Sequence, residues 1–231
     1  MERSRPVVAI PALNEEKHIG RVVQACIASG AEVWVVDDGS IDRTAEMVRQ
    51  AGGRVIQHPR NLGKGMAIRT ALDAFARSDR EFLIFLDADG QHDPAFLQSF
   101  VDRAAASSAG IVLGNRIDDA RRMPFVRRCT NRFMSWLISR LAGQCMPDTQ
   151  CGYRLVSRAF ARQFRPTTSR FELESEMLIQ AGRLGFRIES VPISTIYRGE
   201  KSHIHPLPDT LRFFRMIFRY VLPRKPQPPA P

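Results

Sequence analysis

The stretch Phe82–Gln91 has the sequence FLIFLDADGQ, an apolar run followed by a turn that carries two aspartates. Its first part, Phe82–Leu86, has the length and composition of a buried β-strand. Two carboxylates at the end of such a strand are partly shielded from water, so their negative charges repel each other. Mg²⁺ or Mn²⁺ relieves this repulsion, because these cations prefer oxygen ligands and often join carboxylates to substrate phosphates. The predicted ligands are Asp87, Asp89 and Gln91. The alternative is an Asp-rich turn in which Gly90 supplies a positive φ.

Outward from this stretch, short apolar runs alternate with segments of helical periodicity. The predicted strands are Val7–Ile10, Val33–Val36, Arg54–Gln57, Phe82–Leu86 and Ile111–Leu113, with one or two more within Arg187–Ile196. The predicted helices are Ile19–Ile27, Thr44–Ala51, Lys64–Arg77, Pro94–Ala106, Phe125–Leu141, Phe171–Leu184 and Asp209–Leu222. Strands that alternate with helices favour an α/β fold, with a mostly parallel, Rossmann-like sheet flanked by helices on both faces.

The length of 231 residues is typical of a single domain. We expect that domain to span residues 5–222 and a flexible, proline-rich tail to span residues 223–231. The four cysteines form no C-x-x-C pair, which favours reduced thiols in a cytoplasmic protein. No run of 18 uncharged apolar residues is found, so the sequence predicts no membrane-spanning segment. The net charge of +10 suggests anionic partners such as phosphates or an acidic membrane surface.

Polar clusters follow the carboxyl ends of four predicted strands. They are Pro11–Glu15, Asp37–Ser40, Asp87–Gln91 and Gly114–Arg116. Open α/β sheets bind their ligands in the crevice outside those strand ends. The clusters are therefore expected to meet at one edge of the sheet.

Two of the polar motifs suit a nucleotide. A carboxylate of Asp37 or Asp38 can accept hydrogen bonds from a ribose hydroxyl or a base N–H. The same motif also suits a turn in which Ser40 or Asp42 caps the following helix. Lys64, flanked by glycines at a helix start, suits a phosphate because backbone N–H groups and the helix dipole favour anions there. The alternative for Lys64 is a solvated loop lysine.

These motifs, in this order, resemble glycosyltransferase family 2, whose members have the GT-A fold. The matching strings are PALNEE, VVDDGSIDRT, NLGKGMAIRTAL and LDADGQHDP, between residues 11 and 94. From the segment GNR at 114–116 onward, the chain is similar to the polyprenyl-phosphate branch, the dolichyl-phosphate mannose and glucose synthases. The string DTQCGYR at 148–154 resembles that branch's glucosyltransferase-type segment. The string YRGEKSHI at 197–204 resembles its basic donor or acceptor segment less closely.

The resemblance implies a role for each matching position. The residues expected to hold the nucleotide-sugar are Pro11, Leu13, Asn14, Glu15, Asp37, Asp38 and Lys64. The residues expected to hold the acceptor phosphate or the leaving diphosphate are Arg116, Arg127, Arg198 and Lys201. The predicted catalytic set is Asp87, Asp89, Arg116 and Arg127. The Q-x-x-R-W motif of processive family members is missing from the sequence, which disfavours polysaccharide synthesis.

The chemistry of the acceptor leaves two alternatives open. A phosphate monoester is largely dianionic at neutral pH, because its second pKa is about 6, and it needs cationic clamps more than a base. The arginine-rich second half of the chain favours this acceptor. A hydroxyl acceptor needs a general base. The candidate bases are Asp148, Glu172, Glu174 and Glu176. For Glu172 and Glu176 the alternative is surface charge or interaction with the helix N-terminus.

Two helical segments combine arginines with large apolar residues. They are Phe125–Leu141 and Asp209–Leu222. Cationic amphipathic helices of this kind lie in the headgroup plane of a membrane. Packing against the sheet is the alternative for both. We therefore expect peripheral contact with an anionic membrane surface, at the inner face of the membrane.

The leading prediction is a metal-dependent, inverting transfer of glucose or mannose from a UDP- or GDP-sugar to a polyprenyl phosphate. The alternative is a family 2 enzyme that glycosylates a hydroxyl of a lipid or glycan. A nucleotidyltransferase would usually carry a glycine-rich phosphate loop after the first strand, where this chain has PALNEE. Nucleic-acid binding is not predicted, since the arginines are not interleaved with aromatics on a known module.

Overall fold

The computed structural model describes residues 5–116, 125–194 and 206–221. Its centre is a mixed β-sheet with helices on both faces. The strands are β1 (Val7–Ala12), β2 (Glu32–Asp37), β3 (Arg54–Gln57), β4 (Phe82–Phe85), β5 (Ile111–Asn115), β6 (Arg154–Ser157) and β7 (Ile188–Pro192). The helices are α1 (Ile19–Ala28), α2 (Thr44–Gln50), α3 (Lys64–Ala76), α4 (Leu97–Ser107), α5 (Phe125–Ala142), α6 (Arg158–Gln163), α7 (Glu172–Arg183) and α8 (Pro206–Val221). The predicted α/β fold is confirmed.

The strand order in the sheet is β3-β2-β1-β4-β6-β5-β7. Strand β1 pairs in parallel with β2 and β4, and β5 pairs in parallel with β7. Strand β6 runs antiparallel to its two neighbours, β4 and β5. The carboxyl ends of the parallel strands and the start of β6 therefore lie at one edge of the sheet.

The elements that sequence analysis missed are β6 and α6. Strand β6 has only Leu155 and Val156 as aliphatic residues, which is too short a pattern to predict a strand from periodicity. Its partners Ile84 and Val112 lie on strands far away in sequence, and pairing with them buries Leu155 completely. The predicted helix Pro94–Ala106 is also divided, since a 3₁₀ turn spans Pro94–Phe96 and α4 follows it.

Alternation along β1 divides the hydrophobic core between the two faces of the sheet. Val7 and Ala9 face α3, α5, α6, α7 and α8, whereas Val8 and Ile10 face α1, α2 and α4. All four side chains are fully buried. A strand covered on both faces is apolar at successive positions, which explains the continuous VVAI run.

The helices described within 5–116, 125–194 and 206–221 include none long and apolar enough to cross a membrane. Helices α5 and α8 both pack against α7 through one face. The alternative to membrane contact, which is packing against the rest of the domain, therefore describes one face of each helix. The exposed large apolar residues of these helices are Phe133 and Trp136 on α5 and Phe214, Phe218 and Val221 on α8.

Candidate active site

Hydrogen bonds join the predicted polar clusters at the carboxyl edge of the sheet. The Asn14 N–H donates to Ser40 Oγ at 2.9 Å, and the Ile41 N–H donates to Asn14 Oδ1 at 3.0 Å. Asn14 has a φ of 56°, a left-handed conformation that asparagine tolerates better than most residues. The loop after β1 is thereby fixed to the loop after β2, as the sequence predicts.

Asp38 connects the loop after β2 to the glycine-flanked lysine motif. Its Oδ1 accepts hydrogen bonds from the Leu62 N–H at 2.9 Å and from His58 Nδ1 at 2.7 Å. Its Oδ2 accepts one from the Gly63 N–H at 2.7 Å. His58 Nε2 in turn lies 2.9 Å from Thr70 Oγ1 on α3. Asp38 thus organises the loop that leads into α3, and its contact with a nucleotide stays a prediction.

Asp37 is fully buried at the end of β2. Its Oδ1 accepts a hydrogen bond from the Ser40 N–H at 3.0 Å, which closes the turn. Within the described residues, its Oδ2 is buried and lacks a hydrogen-bond partner. Buried carboxylate oxygens are normally satisfied, so this atom lacks a donor that the described residues do not supply. Asp42 Oδ1 accepts a hydrogen bond from the Thr44 N–H at 2.9 Å, just before α2, whereas the N-cap residue Arg43 makes no side-chain cap.

Lys64 and two carboxylates form the charged centre of the crevice. Lys64 Nζ lies 2.7 Å from Asp87 Oδ1 and 3.2 Å from Glu174 Oε1. His92 Nε2 lies 3.8 Å from Asp87 Oδ2, and the His92 side chain is buried. Arg154, almost fully buried at the start of β6, lies 3.4 Å from Glu174 Oε2. Residues from α3, the turn after β4, β6 and α7 therefore meet at one point.

Proximity of opposite charges shifts the pKa values of the Lys64–Asp87 pair apart. Burial lowers the pKa of Lys64, but the carboxylates of Asp87 and Glu174 outweigh this and hold it above its usual value. Burial raises the pKa of Asp87, but Lys64 and His92 outweigh this and hold it well below its usual range. Both groups are therefore charged at neutral pH.

The proposed metal ligands Asp87, Asp89 and Gln91 lie on one turn after β4. Asp89 Oδ1 accepts a hydrogen bond from the Gln91 N–H at 2.9 Å, which holds the turn closed. All three side chains are partly exposed toward the crevice. Hard oxygen donors at a partly exposed edge fit Mg²⁺ or Mn²⁺. No group of three His, Cys, Asp or Glu side chains within the described ranges could hold a metal ion.

Gly152 allows β6 to approach the aspartate turn. A Cβ atom at this position would overlap Oδ2 of Asp87. Only glycine therefore lets the backbone before β6 pass beside the carboxylate without displacing it. This contact depends on β6 lying next to β4, which sequence analysis did not predict, so the importance of Gly152 was missed as well.

Arg116 forms a bidentate ion pair with Asp148 at the end of β5. Arg116 Nε lies 2.7 Å from Asp148 Oδ2, and Nη2 lies 3.0 Å from Oδ1. Both side chains are largely buried. The pair connects β5 to the loop before β6. Asp148 therefore balances the charge of Arg116, and the expected contact of Arg116 with a phosphate stays a prediction, as does the role of Asp148 as a base.

Three other predicted phosphate ligands cannot be placed. Arg127 lies in α5, but its side chain is outside the described part of the structure. Arg198 and Lys201 lie in segment 195–205, which is also outside it.

Pro11 lies within β1, and Leu13 and Glu15 lie in the loop that follows. Their roles toward a nucleotide remain predictions.

The three glutamates of α7 differ sharply in their surroundings. Glu174 faces Lys64 and Arg154 in the crevice. Glu176 is fully buried and Glu172 is nearly so, which makes surface charge the wrong interpretation for both. Glu176 accepts hydrogen bonds from Thr167 and Thr168, so its contacts are those of a structural residue. Within the described residues, Glu172 Oε2 is buried without a hydrogen-bond partner.

His58 is a second residue of the site that sequence analysis did not identify. It is largely buried and lies 20 residues from its partner Asp38. A lone histidine before a proline carries no periodicity or spacing signal that could have identified it. Only the pairing of β2 with β3 brings His58 close to Asp38.

A sequence model described as glycosyl transferase family 2 matches residues 7–165 of the chain. A dolichyl-phosphate hexose transferase of Haloferax volcanii is 32% identical over 203 residues, which cover 86% of this chain and 86% of the relative. A UDP-N-acetylglucosamine–dolichyl-phosphate N-acetylglucosaminyltransferase of Methanococcus voltae is 30% identical over 213 residues, which cover 81% of this chain and 84% of the relative.

Among solved structures, glucosyl-3-phosphoglycerate synthase from Mycobacterium tuberculosis is similar in fold. Its complex with Mn²⁺, UDP and glucosyl-3-phosphoglycerate superposes with a TM-score of 0.71 at 22% sequence identity. The superposition covers 94% of this chain and 78% of that chain. The similarity confirms the GT-A fold expected from the sequence.

Proposed function

The chain belongs to glycosyl transferase family 2, and on that basis we propose that it transfers a hexose from a nucleotide-sugar to a polyprenyl phosphate. The observation that carries the proposal is the charged centre of the crevice, where Lys64 meets Asp87 beside the Asp89 turn. This arrangement suits a substrate with a diphosphate and a divalent cation.

The names of the relatives support a lipid phosphate as the acceptor. The two relatives at 30% and 32% identity are named for transfer to dolichyl phosphate, and each is covered over more than four fifths of its length. A phosphate acceptor needs orientation and positive charge, since it is already a nucleophile at neutral pH. We propose that Arg116 and Arg127 supply this charge, with Arg198 or Lys201.

The donor side rests on the crevice residues. We propose that Asp87, Asp89 and Gln91 hold Mg²⁺ or Mn²⁺ together with the donor diphosphate. The bound cation would supply Lewis-acid stabilisation of the negative charge on the leaving group. Lys64, at the N-terminus of α3, would contact the same diphosphate, aided by the helix dipole. Asp37 or Asp38, at the end of β2, would accept a hydrogen bond from the nucleoside.

Direct displacement is the simplest reaction for these groups. An oxygen of the lipid phosphate attacks the anomeric carbon, the bond from that carbon to the diphosphate oxygen breaks, and the diphosphate leaves with the electron pair. Attack on the face opposite the leaving group inverts the anomeric configuration. Before substrate binds, Asp87 and Glu174 hold the pKa of Lys64 above its usual value, so Lys64 offers a positive charge to the diphosphate.

The outer face of α5 suits contact with an anionic membrane. Phe133 and Trp136 are more than half exposed, and their ring centroids lie 6.0 Å apart. Arg132 and Arg140 are exposed one helical turn before and after Trp136. On the opposite face, Ser135 Oγ lies 3.1 Å from Thr149 Oγ1, next to the Arg116–Asp148 pair. We propose that a lipid whose chain stays in the membrane beside α5 brings its phosphate to the Arg116 side of that helix. We propose that this contact lies at the cytoplasmic face.

The experiment that tests the proposal measures release of nucleoside diphosphate from a panel of UDP- and GDP-sugars with Mn²⁺ or Mg²⁺. The panel contains glucose, mannose and N-acetylglucosamine donors. Each reaction is run with undecaprenyl phosphate, with undecaprenol and with no lipid. Release that requires the phosphate supports the proposal, because the two lipids differ only in that group. Equal release with undecaprenol, or none with any donor, would contradict it.

Transfer to a hydroxyl is the second candidate, and the position of Glu174 favours it. Its carboxylate is the acidic group of α7 that lies in the crevice, 3.2 Å from Lys64 Nζ. As a general base it would need to reach the acceptor hydroxyl. Under this alternative, Glu174→Gln abolishes turnover of a hydroxyl acceptor. Under transfer to a phosphate, the same variant retains measurable turnover, because no base is required.

A further inference from the structure

Glu176 is a fully buried carboxylate of α7. Its Oε1 accepts hydrogen bonds from Thr167 Oγ1 at 2.6 Å and from Tyr220 Oη at 2.9 Å. Its Oε2 accepts from Thr168 Oγ1 at 2.6 Å and from the Thr168 N–H at 2.9 Å. Gln180 Nε2 donates to Oε1 at 3.2 Å. A buried carboxylate charge is tolerated only when its oxygens accept several hydrogen bonds. The partners are therefore held in fixed positions around Glu176.

Tyr220 connects the last helix, α8, to this hydrogen-bond network. The network consists of Glu176 and its donors Thr167, Thr168, Gln180 and Tyr220. Its ring is largely buried, and Gln180 Nε2 donates to its Oη at 2.9 Å. Arg183 stacks over the same ring at 4.8 Å and donates to the Tyr220 carbonyl. The docking of α8 on α7 is therefore specified by directed contacts as well as by apolar packing.

On the other side of Glu176, the loop Thr167–Arg170 packs against the start of α3. A Cβ atom at Gly65 would overlap the backbone of Ser169 and Arg170. At Gly63, the nearest neighbours of such an atom also belong to these two residues, from 3.7 Å. Lys64 stands between the two glycines, so the position of its backbone depends on this loop.

The network and the crevice also share helix α7. Glu174 precedes Glu176 by two residues and pairs with Lys64 at 3.2 Å. The loop Thr167–Arg170 thus sets the backbone of Lys64, while the first turns of α7 set the position of Glu174. Glu176 lies on α7 and accepts hydrogen bonds from Thr167 and Thr168, so it joins this loop to the helix that carries Glu174.

We propose that Glu176 and Tyr220 are positioning residues, through which the docking of α8 fixes Lys64 and Glu174 in the crevice. The proposal rests on the assignment of the crevice to the nucleotide-sugar. It assigns α8 a role in the reaction, although the contacts of Tyr220 are with Glu176, Gln180 and Arg183 of α7. Loss of the Tyr220 hydroxyl would loosen the loop Thr167–Arg170 and, through it, the start of α3.

The test compares Tyr220→Phe with Ile217→Val, a control that trims the apolar packing of α8 without contacting Glu176. Thr168→Val, which removes a donor at nearly constant volume, tests the loop end of the network. Each variant is assayed well below its own unfolding midpoint. We expect kcat/KM for the nucleotide-sugar to fall about tenfold in Tyr220→Phe and Thr168→Val, because small misplacements of reacting groups are costly. Ile217→Val should keep the wild-type value despite its lower midpoint.

Hydrogen exchange provides a readout that does not depend on turnover. In Tyr220→Phe and Thr168→Val, amides of residues 62–67 and 167–170 should exchange faster than in wild-type, and in Ile217→Val they should not. If wild-type releases no nucleoside diphosphate, the proposed function fails while exchange still reports on the network. If the variants match wild-type in both kcat/KM and exchange, or if Ile217→Val has the same losses, the positioning role is wrong.

Discussion

Lys64 Nζ lies 2.7 Å from Oδ1 of Asp87, so a lysine at the start of α3 neutralises the first aspartate of the D-A-D turn. The two residues are 23 positions apart and belong to different predicted motifs. Lys64 occupies a place beside a carboxylate that a divalent cation would also approach. A donor diphosphate that enters the crevice would offer Lys64 an anionic partner in addition to Asp87 and Glu174.

Removal of the Lys64 charge should separate metal binding from turnover. In Lys64→Met, kcat/KM for the nucleotide-sugar should fall by about 100-fold, as when one stabiliser of a developing charge is lost. Affinity for Mn²⁺ without nucleotide should be unchanged or higher, because a competing cation is gone. Isothermal titration and steady-state kinetics measure the two effects. Lys17→Met, at an exposed position, is the control. A weaker Mn²⁺ affinity in Lys64→Met would contradict this relationship.

Asp89→Asn should abolish metal-dependent release of nucleoside diphosphate and leave the fold intact. An amide oxygen is a weaker ligand for a hard cation than a carboxylate oxygen. Turnover and circular dichroism together check both parts of the expectation. Asp102→Asn changes an exposed aspartate of α4 and should have no effect. Full activity in Asp89→Asn would exclude the metal role assigned to it.

Gly152→Ala should impair the crevice without unfolding the protein. The new Cβ would overlap Oδ2 of Asp87, and the short carboxylate side chain must move to make room. We expect a loss of at least about tenfold in kcat/KM, since a displaced group no longer meets its partners. Gly20→Ala is the matched control, because its nearest neighbour would be Met47 Cε at 3.7 Å, an ordinary contact. Wild-type activity in Gly152→Ala would show that the Asp87 position is not critical.

Glu176→Gln should destabilise the protein most at neutral pH. Burial raises the pKa of Glu176, but hydrogen bonds from Thr167 and Thr168 outweigh this and hold it below its usual value. A carboxyl group with a lowered folded-state pKa adds stability above its unfolded pKa of about 4.3 and loses it as the pH falls through the folded value.

We therefore expect the free energy of unfolding of Glu176→Gln to be lower than that of wild-type by about 2 kcal/mol at pH 7. The gap should narrow as the pH falls below about 4.3. Urea unfolding at pH 7, 5, 4 and 3 measures it. Glu46→Gln, at an exposed position of α2, should stay within about 0.5 kcal/mol of wild-type at pH 7. A gap that is constant with pH would show that the charge of Glu176 is not what matters.

Replacement of both exposed aromatics of α5 should weaken membrane binding. Phe133→Ser/Trp136→Ser should bind vesicles of anionic lipid at least about tenfold more weakly, since each ring adds apolar area to the contact. Binding by wild-type should also fall as salt rises, because arginines flank the rings. Ile41→Ser removes an apolar side chain that is 94% exposed in the loop after β2, and it should bind normally. Cosedimentation measures all three proteins, and equal binding by the double variant would remove α5 from the contact.

The sequence by itself determined the α/β fold and the meeting of the polar clusters. Each cluster follows an apolar run, and the carboxyl ends of parallel strands share one edge whatever their order in the sheet. The D-A-D turn and the Lys64 motif are likewise local patterns that could be identified along the chain. The match to the family model then agrees with the resemblance that those motifs indicate.

Only the tertiary structure decided which side chains meet across the sheet and between helices. The short strand β6 lies between β4 and β5, and its placement brings Gly152 against Asp87. Glu176 and Tyr220 are 44 residues apart, and their hydrogen bond depends on the packing of α8 on α7. Sequence periodicity specifies which face of an element is buried, whereas the partner of a buried polar atom is set by packing between distant segments.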